Sequence, residues 1–375
     1  MKNLFFDWEV NDHTGWGIYG LNLLIHGVAN KKIRPVSLIW PPKINYPLDP
    51  ITAIELNQLI KDWKKIAHNK SEDIFLNALG NSSKKLYEKE VFLKTDVAVI
   101  FFENWPLEKN YIEKLKCYEK IIVGSKWNFE KLKEINLNSI INIQGVDTEN
   151  LRLMSKKNYK NKFVVFSGGK LEYRKGQDII LSAFAKFSKK YKDSILITAW
   201  ASPWAQNVSQ SINLSKICEP FTWEENFNKS LKIWAQKNNI NSEQFVVLDQ
   251  FPSRLLPDIL REVDLALFTN RCEGGTNLVA MEALASGVVC GISRNTGHKD
   301  IINKDNCIPF DNQQMVKIPN MDTEDWGETS VDECIHVMEL AYSNNKVLDK
   351  EKIKNSMNSY TWENSINNLF KKVLD

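Results

Sequence analysis

Short apolar runs alternate with amphipathic stretches along the whole chain, and this alternation constrains the fold more than any other feature of the sequence. Continuous apolar runs suit strands that are buried on both faces, whereas the stretches between them carry helical spacing. Strand, helix and parallel strand make up the βαβ unit. The pattern therefore predicts an α/β protein in which helices cover parallel sheets.

Two series of apolar runs divide the 375 residues. The predicted strands are 4–6, 36–40, 97–102, 121–123 and 141–143, followed by 163–166, 194–199, 245–248, 265–268 and 288–290. Between the series, Lys156–Lys162 is basic and poor in apolar residues, as an exposed linker would be. We predict two doubly wound, Rossmann-like domains facing a cleft, residues 1–155 and 156–350, and a C-terminal helix in 351–375.

Charge and cysteine content disfavour several classes of protein. The 49 Lys and Arg nearly balance the 46 Asp and Glu, so the net charge of +3 does not favour a nucleic acid partner. The six cysteines lack CxxC spacing, which predicts buried, reduced thiols and no metal site. The sequence shows neither a signal peptide nor an apolar window of about 18 residues, so we expect a cytoplasmic protein.

The densest strand-to-helix turn spans residues 269–287. Gly274 and Gly275 allow the chain to turn tightly, and a helix is predicted to begin at Thr276 or Asn277, either of which can cap it. The N-terminus of a helix presents unpaired N–H groups and the positive end of its dipole. A phosphate is therefore predicted on the amides of Asn277, Leu278 and Val279.

Two glutamates flank this turn. Glu282 lies inside the predicted helix, where a carboxylate can accept hydrogen bonds from a ribose, and Glu273 lies before the turn, closer to the cleft. A capped helix with two solvated glutamates is the alternative. The stretch from Glu273 to Gly287 resembles the donor-binding signature of the retaining, GT-B-fold glycosyltransferases of family 4 (glycosyl transferases group 1). That family has seven residues between the glutamates, whereas eight separate Glu273 from Glu282.

The resemblance implies an enzyme that moves a sugar from a nucleotide-diphosphate sugar to an acceptor with retention of the anomeric configuration. It implies that Glu282 holds the ribose and that Glu273 contacts the donor sugar as a catalytic residue. It also implies that residues 1–155 form the acceptor side and residues 156–350 the side that binds the nucleotide sugar. The acceptor class stays open between a glycan, a lipid-linked molecule and a small molecule.

A second turn, within residues 163–178, combines a strand, two glycines and several basic residues. It resembles the family segment in which basic residues hold the donor diphosphate, which assigns that catalytic and binding role to Lys170 and Lys175. Two ammonium groups would neutralise a leaving diphosphate without a metal ion, so no cofactor is expected beside the co-substrate. A surface loop of solvated lysines is the alternative.

Gly15–Gly20 reads formally as GxGxxG. A dinucleotide fold would place this motif directly after a strand and an acidic residue about 20 positions later, and neither condition holds here. In the resembled family, a glycine-rich loop after the first strand closes over the donor phosphates, which implies that role for Gly15 and Gly17. A purely structural turn is the alternative.

Three further residues are weaker candidates for the cleft. Many family members carry a histidine in the N-terminal domain, but the strand at 97–102 is followed by Glu103, and Glu103 or His13 could take its place. His298 follows another predicted strand end. Each also fits an ordinary loop residue. Asp7 and Glu9 imitate a DxD metal motif, but no partner ligand is apparent, so no metal is predicted.

Other segments leave open what surrounds the reaction. Residues 43–90 and 205–241 match no pattern, and loops of this size often set acceptor choice. Lys61–Lys65 could meet anionic headgroups at the inner membrane surface, although a solvated helix face is the simpler interpretation. Tyr360–Glu363 resembles the family's C-terminal helix, which packs back onto the first domain.

Two rival functions remain: a non-catalytic GT-B-like protein that binds nucleotide sugars or acts as a scaffold, and another nucleotide-dependent Rossmann enzyme.

Overall fold

The computed structural model describes residues 2–28, 30–39, 41–45, 48–63, 73–80, 96–343 and 347–374, with main chain only for 59–63. Two six-stranded parallel sheets are each covered by helices, which confirms the predicted pair of doubly wound α/β domains. In the part of the chain described, no helix is both long and apolar enough to span a membrane.

The first sheet has the strand order β2-β1-β3-β4-β5-β6. Its strands are β1 (Lys2–Phe6), β2 (Ile33–Ser37), β3 (Ile74–Leu79), β4 (Asp96–Ile100), β5 (Lys120–Val123) and β6 (Ile140–Ile141). The helices of this domain are α1 (Gly15–Val28), α2 (Pro50–Trp63), α3 (Lys109–Leu115) and α4 (Lys126–Glu134). The prediction missed β3, although it is an entirely buried run at the centre of the sheet, and it placed β2 three residues too late.

The second sheet has the strand order β12-β11-β10-β7-β8-β9. Its strands are β7 (Phe163–Gly168), β8 (Ser194–Ala199), β9 (Phe245–Val247), β10 (Leu265–Phe268), β11 (Val289–Ser293) and β12 (Ile308–Phe310), and the last was not predicted. A separate antiparallel hairpin pairs β13 (Gln313–Met315) with β14 (Gly327–Thr329). The remaining helices are α5 (Gln177–Lys190), α6 (Ala205–Val208), α7 (Phe227–Lys237), α8 (Leu256–Leu260), α9 (Leu278–Ala285), α10 (Val331–Ser343), α11 (Lys350–Asn355) and α12 (Trp362–Leu374).

Residues 351–375 contain two helices that pack on different domains. Ile353 of α11 is buried in the core of the second sheet. Trp362 and Phe370 of α12 are buried with Leu23 of α1 in the core of the first sheet. The chain at Gly145 passes close to the start of α12, because a Cβ atom on Gly145 would lie 2.4 Å from the backbone of Trp362. Only the second helix therefore lies on the N-terminal domain.

The basic linker is exposed along much of its length but is tethered to the C-terminal domain. The buried carboxylate of Glu262 accepts hydrogen bonds from the backbone N–H groups of Lys157, Asn158 and Tyr159 at 2.9, 3.0 and 2.8 Å. Burial alone would raise the pKa of Glu262, but these donors lower it. The linker path is thus fixed by a carboxylate more than 100 residues away in sequence.

The segment next to the hairpin joins the two domains. Trp326 Nε1 donates to the backbone oxygen of Glu103 at 2.8 Å, and Trp127 Nε1 donates to Asp325 Oδ2 at 2.9 Å. Cys272 and Trp326 of the second domain share an apolar cluster with Trp127 of the first. The domains therefore share a continuous core on this side.

All six cysteines are free. Four are buried, but Cys117 is exposed and Cys218 is only partly buried, so the expectation of burial was wrong for these two. The predicted headgroup contact at Lys61–Lys65 lies outside the residues whose side chains are described, and it stays a prediction.

Candidate active site

A cavity of about 530 Å³ opens between the carboxyl ends of the two sheets and is lined by both domains. The N-terminal domain contributes the loop after β1 and the end of β4, and the C-terminal domain contributes the turns after β7, β8, β9 and β10. The predicted site residues that line it are His13, Gly15, Glu103, Lys170, Lys175, Glu273, Thr276, Asn277, Leu278, Val279 and Glu282. Gly17 and His298 do not line it.

The N-terminus of α9 faces this cavity. Asn277 caps the helix: its φ is 64°, a left-handed value that asparagine tolerates, and its side chain accepts a hydrogen bond from the Ala280 N–H at 3.4 Å. The helix begins at Leu278, so Thr276 is not the cap. The hydroxyl of Thr276 instead lies 3.0 Å from the sulfur of Met281. The cap leaves early amides of α9 able to bind an anion in the cavity.

His298 is fully buried behind this cap, which corrects its assignment to the cleft. Its Nδ1 lies 3.1 Å from the backbone oxygen of Ser293, and its Nε2 lies 3.1 Å from Asn277 Nδ2. Burial lowers the pKa of His298 to about 4, so the ring is neutral near pH 7. With Nδ1 donating to the carbonyl, Nε2 accepts from the asparagine. The histidine therefore positions the cap and does not face the cavity.

Glu273 is an ionised carboxylate at the cavity wall, only 5% exposed. Lys175 Nζ makes a short ion pair with its Oε1, and Arg174 Nη1 lies 3.3 Å from its Oε2. Burial alone would raise the pKa of Glu273, but Lys175 and Arg174 lower it to about 2. Lys175, which was predicted to neutralise a diphosphate, thus also has a carboxylate partner in the structure.

Arg174 is the centre of a charge cluster with Glu103, Glu172, Lys175 and Glu273, and no sequence motif pointed to it. Its guanidinium donates to the backbone oxygen of Cys272 at 2.7 Å and pairs with Glu172 at 2.5 Å and Glu103 at 3.1 Å. Burial alone would lower the pKa of Arg174, but the surrounding carboxylates raise it. The sequence places Lys170, Arg174 and Lys175 in one turn, and no sequence pattern shows which of their side chains is buried.

Lys170 is the most accessible cation of the site. Its side chain is 36% exposed, against 13% for Lys175, and its ammonium lies 3.2 Å from Glu172. The loop that carries both lysines ends at Gly176, where φ is 69° and a Cβ atom would lie 2.0 Å from the backbone oxygen of Thr269. Only glycine fits there, so the close approach of this loop to β10 is fixed by that residue.

The two glycines of the first-domain motif have different surroundings. Gly15 starts α1 at the cavity, and a Cβ atom on it would meet Leu278 of α9 at an ordinary 3.8 Å. Gly17 lies within α1 and is buried, and a Cβ atom there would lie 2.1 Å from Asn11 Oδ1. Gly17 therefore makes room for Asn11 of the preceding loop and does not line the cavity, which corrects its assignment to the donor loop.

Glu282 differs from Glu273 in having no charge partner. Among the residues that the structure describes, no hydrogen bond or ion pair engages its side chain, which lines the cavity from the second turn of α9. Burial and the nearby Asp147 raise the pKa of Glu282 to about 8. A partly buried carboxyl group that faces a cavity is suited to a ligand that supplies hydroxyl groups.

Further lining residues come from segments that the sequence left unassigned. Trp204 follows β8 and is 48% exposed, and Asp249, Phe251 and Ser253 follow β9. Asp7 and Glu9, in contrast, have internal partners: Asp7 Oδ1 accepts from the Ala78 N–H at 2.8 Å, and Glu9 pairs with Lys43 at 2.5 Å. Within the described ranges, no group of three or more His, Cys, Asp or Glu residues is placed to hold a metal.

Two doubly wound domains that enclose a cavity at the carboxyl edges of their sheets form the GT-B fold. Residues 149–324 match the model of the family described as "Glycosyl transferases group 1". No curated protein matches the sequence.

Solved structures share this fold at low sequence identity. Sucrose-phosphate synthase from Thermosynechococcus elongatus has a TM-score of 0.65 at 10% identity, covering 100% of this chain and 99% of its own. HepE from Anabaena, in complex with UDP and glucose, has a TM-score of 0.62 at 12% identity over the same shares. A glycosyltransferase from Rickettsia africae has a TM-score of 0.63 at 11% identity, covering 100% and 99%.

Proposed function

We propose that this protein is a glycosyltransferase that transfers a sugar from a nucleotide-diphosphate sugar to an acceptor, with retention and without a metal ion. One observation carries the proposal: the amino end of α9, Lys170 and Lys175 face the same cavity as Glu282. Glu282 lies four positions after Leu278 in the helix, a rise of about 6 Å. An anion site and a hydroxyl acceptor at that spacing suit the diphosphate and the ribose of one nucleotide.

The leaving group explains why cations surround the anion site. Negative charge accumulates on the diphosphate as the bond to the anomeric carbon breaks, and preorganised donors in a dry cavity stabilise that charge strongly. Lys170 and the α9 amides can approach the diphosphate directly, and Lys175 adds positive charge next to Glu273. These groups would do the work that a divalent cation does in other enzymes.

The ionised state of Glu273 supports a role near the donor sugar. A carboxylate whose pKa is held at about 2 stays negative at any working pH, so it can accept hydrogen bonds from sugar hydroxyls and favour positive charge at the anomeric carbon. Arg174 and Lys175 hold it in place. Retention is proposed on the resemblance of the segment from Glu273 to Gly287 to retaining enzymes.

The comparisons support the type of donor. Residues 149–324, which match the family model, contain the α9 turn and both lysines. HepE, which shares the fold, was solved with UDP and glucose. We therefore propose a nucleotide sugar as the co-substrate and a glycan, a lipid-linked molecule or a small molecule as the acceptor.

Titration calorimetry with UDP, GDP and ADP, followed by UDP-glucose, UDP-galactose, UDP-N-acetylglucosamine and GDP-mannose, tests the proposal. We expect micromolar binding of one nucleotide diphosphate and slow release of it from the matching sugar, with and without EDTA. NMR of the product then gives its anomeric configuration. Binding of none of these compounds would exclude the proposed function.

The extra residue between Glu273 and Glu282 favours one alternative, a protein that binds nucleotide sugars without turnover. The same experiment separates the two functions. Tight binding of a nucleotide sugar that stays intact over prolonged incubation, with every candidate acceptor added, would support the non-catalytic alternative.

A further inference from the structure

The cavity extends past the charge cluster to the turns that follow β8 and β9. Trp204 follows β8, and Asp249 and Gln250 follow β9; all three are exposed and line the cavity. None of them has a role in the phosphate, ribose or sugar contacts proposed above. This end of the cavity is therefore available to a further part of the donor.

The strand order of the second sheet sets how far these turns lie from the proposed anion site. The strands β10, β7, β8 and β9 are consecutive neighbours. Neighbouring strands are about 4.8 Å apart, so the turns after β8 and β9 lie about 10 and 14 Å from the turn after β10, where α9 begins. An extended nucleoside diphosphate covers such a distance. With its phosphates on α9, the nucleotide thus brings its base to the turns after β8 and β9.

Trp204 offers this base a flat apolar surface. Thr198 of β8 is paired with Val247 of β9, so the segments that follow the two strands leave the sheet side by side. Aromatic side chains bind nucleobases by stacking, and stacking accepts every base because each has a π face. Trp204 can therefore hold the base next to the β9 turn, but it cannot select one base over another.

Asp249 can make this selection. Asn228 Nδ2 of α7 donates to its Oδ1 and orients the carboxylate, and among the described residues no hydrogen bond or ion pair engages its Oδ2. A carboxylate only accepts hydrogen bonds, so it fits two adjacent donors and disfavours a facing acceptor. Guanine has two adjacent donors, its N1–H and its N2 amino group. Uracil has one N–H between two carbonyl oxygens, and adenine has an acceptor nitrogen beside its amino group.

We propose that Asp249 makes the donor site selective for guanine, so that the donor is a GDP-sugar, with Trp204 as the stacking surface for the base; this inference rests on the proposed function. The two carboxylate oxygens accept the N1–H and one N2–H of guanine. The neighbouring Gln250 has an amide that can donate to guanine O6. Uracil or adenine would leave an acceptor facing the carboxylate, which weakens their binding.

Titration calorimetry of the wild type with GDP, IDP, UDP and ADP tests the base directly. We expect GDP to bind at least about 30-fold more tightly than UDP or ADP, because only guanine satisfies both carboxylate oxygens. IDP is GDP without the N2 amino group. It should bind about tenfold more weakly than GDP, because one of the two hydrogen bonds to Asp249 is lost.

Asp249→Asn provides a readout that a general loss of charge or of structure would not give. An amide can match the N–H and the carbonyl of uracil, so we expect GDP affinity to fall about 10–100-fold while UDP affinity does not fall. Pyrophosphate affinity should stay unchanged. Asp305→Asn, at an exposed position of the same domain, is the matched control and should leave all affinities unchanged. Circular dichroism checks the folding of each variant.

Trp204→Leu should separate stacking from selection. Loss of the indole should weaken GDP and UDP by the same factor, about 5–50-fold, and so keep their ratio. GDP binding as tight as in the wild type would overturn the stacking role.

Three results would overturn the guanine inference alone: UDP or ADP binding as tight as GDP binding, equal affinities for GDP and IDP, or an unchanged ratio of GDP to UDP affinity in Asp249→Asn. In each case a nucleotide diphosphate still binds, so the proposed function stands. Binding of none of the nucleotide diphosphates would instead overturn the proposed function, and this inference with it.

Discussion

Arg174 and Glu103 form a 3.1 Å ion pair that connects the two domains at the cavity wall. The same guanidinium also lies against Glu172 and Glu273, so one cation serves three carboxylates from separate parts of the chain. Burial removes solvent from these charges. Loss of Arg174 would therefore leave the carboxylates with less compensating positive charge and destabilise the folded state. The charge cluster therefore links the two domains and also forms part of the cavity wall.

Replacing Arg174 by Met should destabilise the protein by about 3–5 kcal/mol, the usual cost of leaving buried charges unpaired. Urea unfolding measures the loss. Arg152→Met is the matched control, because Arg152 is exposed, and it should change the stability by less than about 0.5 kcal/mol. Adding Glu103→Gln to Arg174→Met should recover part of the loss. Strict additivity of the two changes would show that Arg174 and Glu103 do not interact.

The sequence could predict the fold because the βα alternation is a local property. Each continuous apolar run of the second sheet corresponds to a strand with a buried interior, as in Phe163–Gly168 and Leu265–Phe268. The missed strand Ile74–Leu79 carries the same local signal, but unassigned sequence surrounds it. A strand in such a context is recognised from its pairing partners β1 and β4, which no local pattern shows.

The site could be predicted only in part, because charge pairing depends on the folded chain. Glycine and helix-capping patterns located the turns that carry Lys170, Lys175 and Asn277 at the cavity. The same patterns did not distinguish the buried Arg174 from its neighbours. They also did not show that Glu273 would be paired with cations while Glu282 has no partner within the described part of the chain. Those differences arise from contacts between residues about 100 positions apart.

Lys175→Ala and Glu282→Ala should weaken the binding of a nucleotide diphosphate by different routes. Loss of Lys175 removes positive charge beside the phosphates, so affinity for both the nucleotide diphosphate and free pyrophosphate should fall about 10–100-fold. Loss of Glu282 removes the ribose contact, so nucleotide diphosphate affinity should fall while pyrophosphate affinity is kept. Calorimetry measures both ligands, with exposed Lys189→Ala as the control. Equal affinities in all variants would contradict the assigned site.

The raised pKa of Glu282 should make stability depend on pH in the absence of ligand. Burial and Asp147 raise this pKa to about 8, so the folded state holds a proton that the unfolded chain releases above its ordinary, lower pKa. Because the folded state binds more protons, stability falls as pH rises from the unfolded pKa to about 8. Glu282→Gln should therefore gain about 2–3 kcal/mol over the wild type between pH 6 and 9. A difference in unfolding free energy that stays constant over this range would show that Glu282 is already ionised.

Glu262→Gln should loosen the linker between the domains. The carboxylate accepts hydrogen bonds from the backbone N–H groups of residues 157–159. An amide can accept fewer of them, and only through weaker, uncharged hydrogen bonds. We expect a loss of about 1–3 kcal/mol in the free energy of unfolding, measured with urea, and faster proteolysis at the basic residues of 156–162.

The stabilisation by Glu262 should depend on pH. The pKa of Glu262 is lowered in the folded state, so its contribution to stability is present above the unfolded pKa and is lost as pH falls through the folded pKa. The difference in unfolding free energy between the wild type and Glu262→Gln should thus become smaller at acidic pH. Glu243→Gln, at an exposed position, is the control. A difference of equal size at acidic and neutral pH would mean that the charge of Glu262 does not hold the linker.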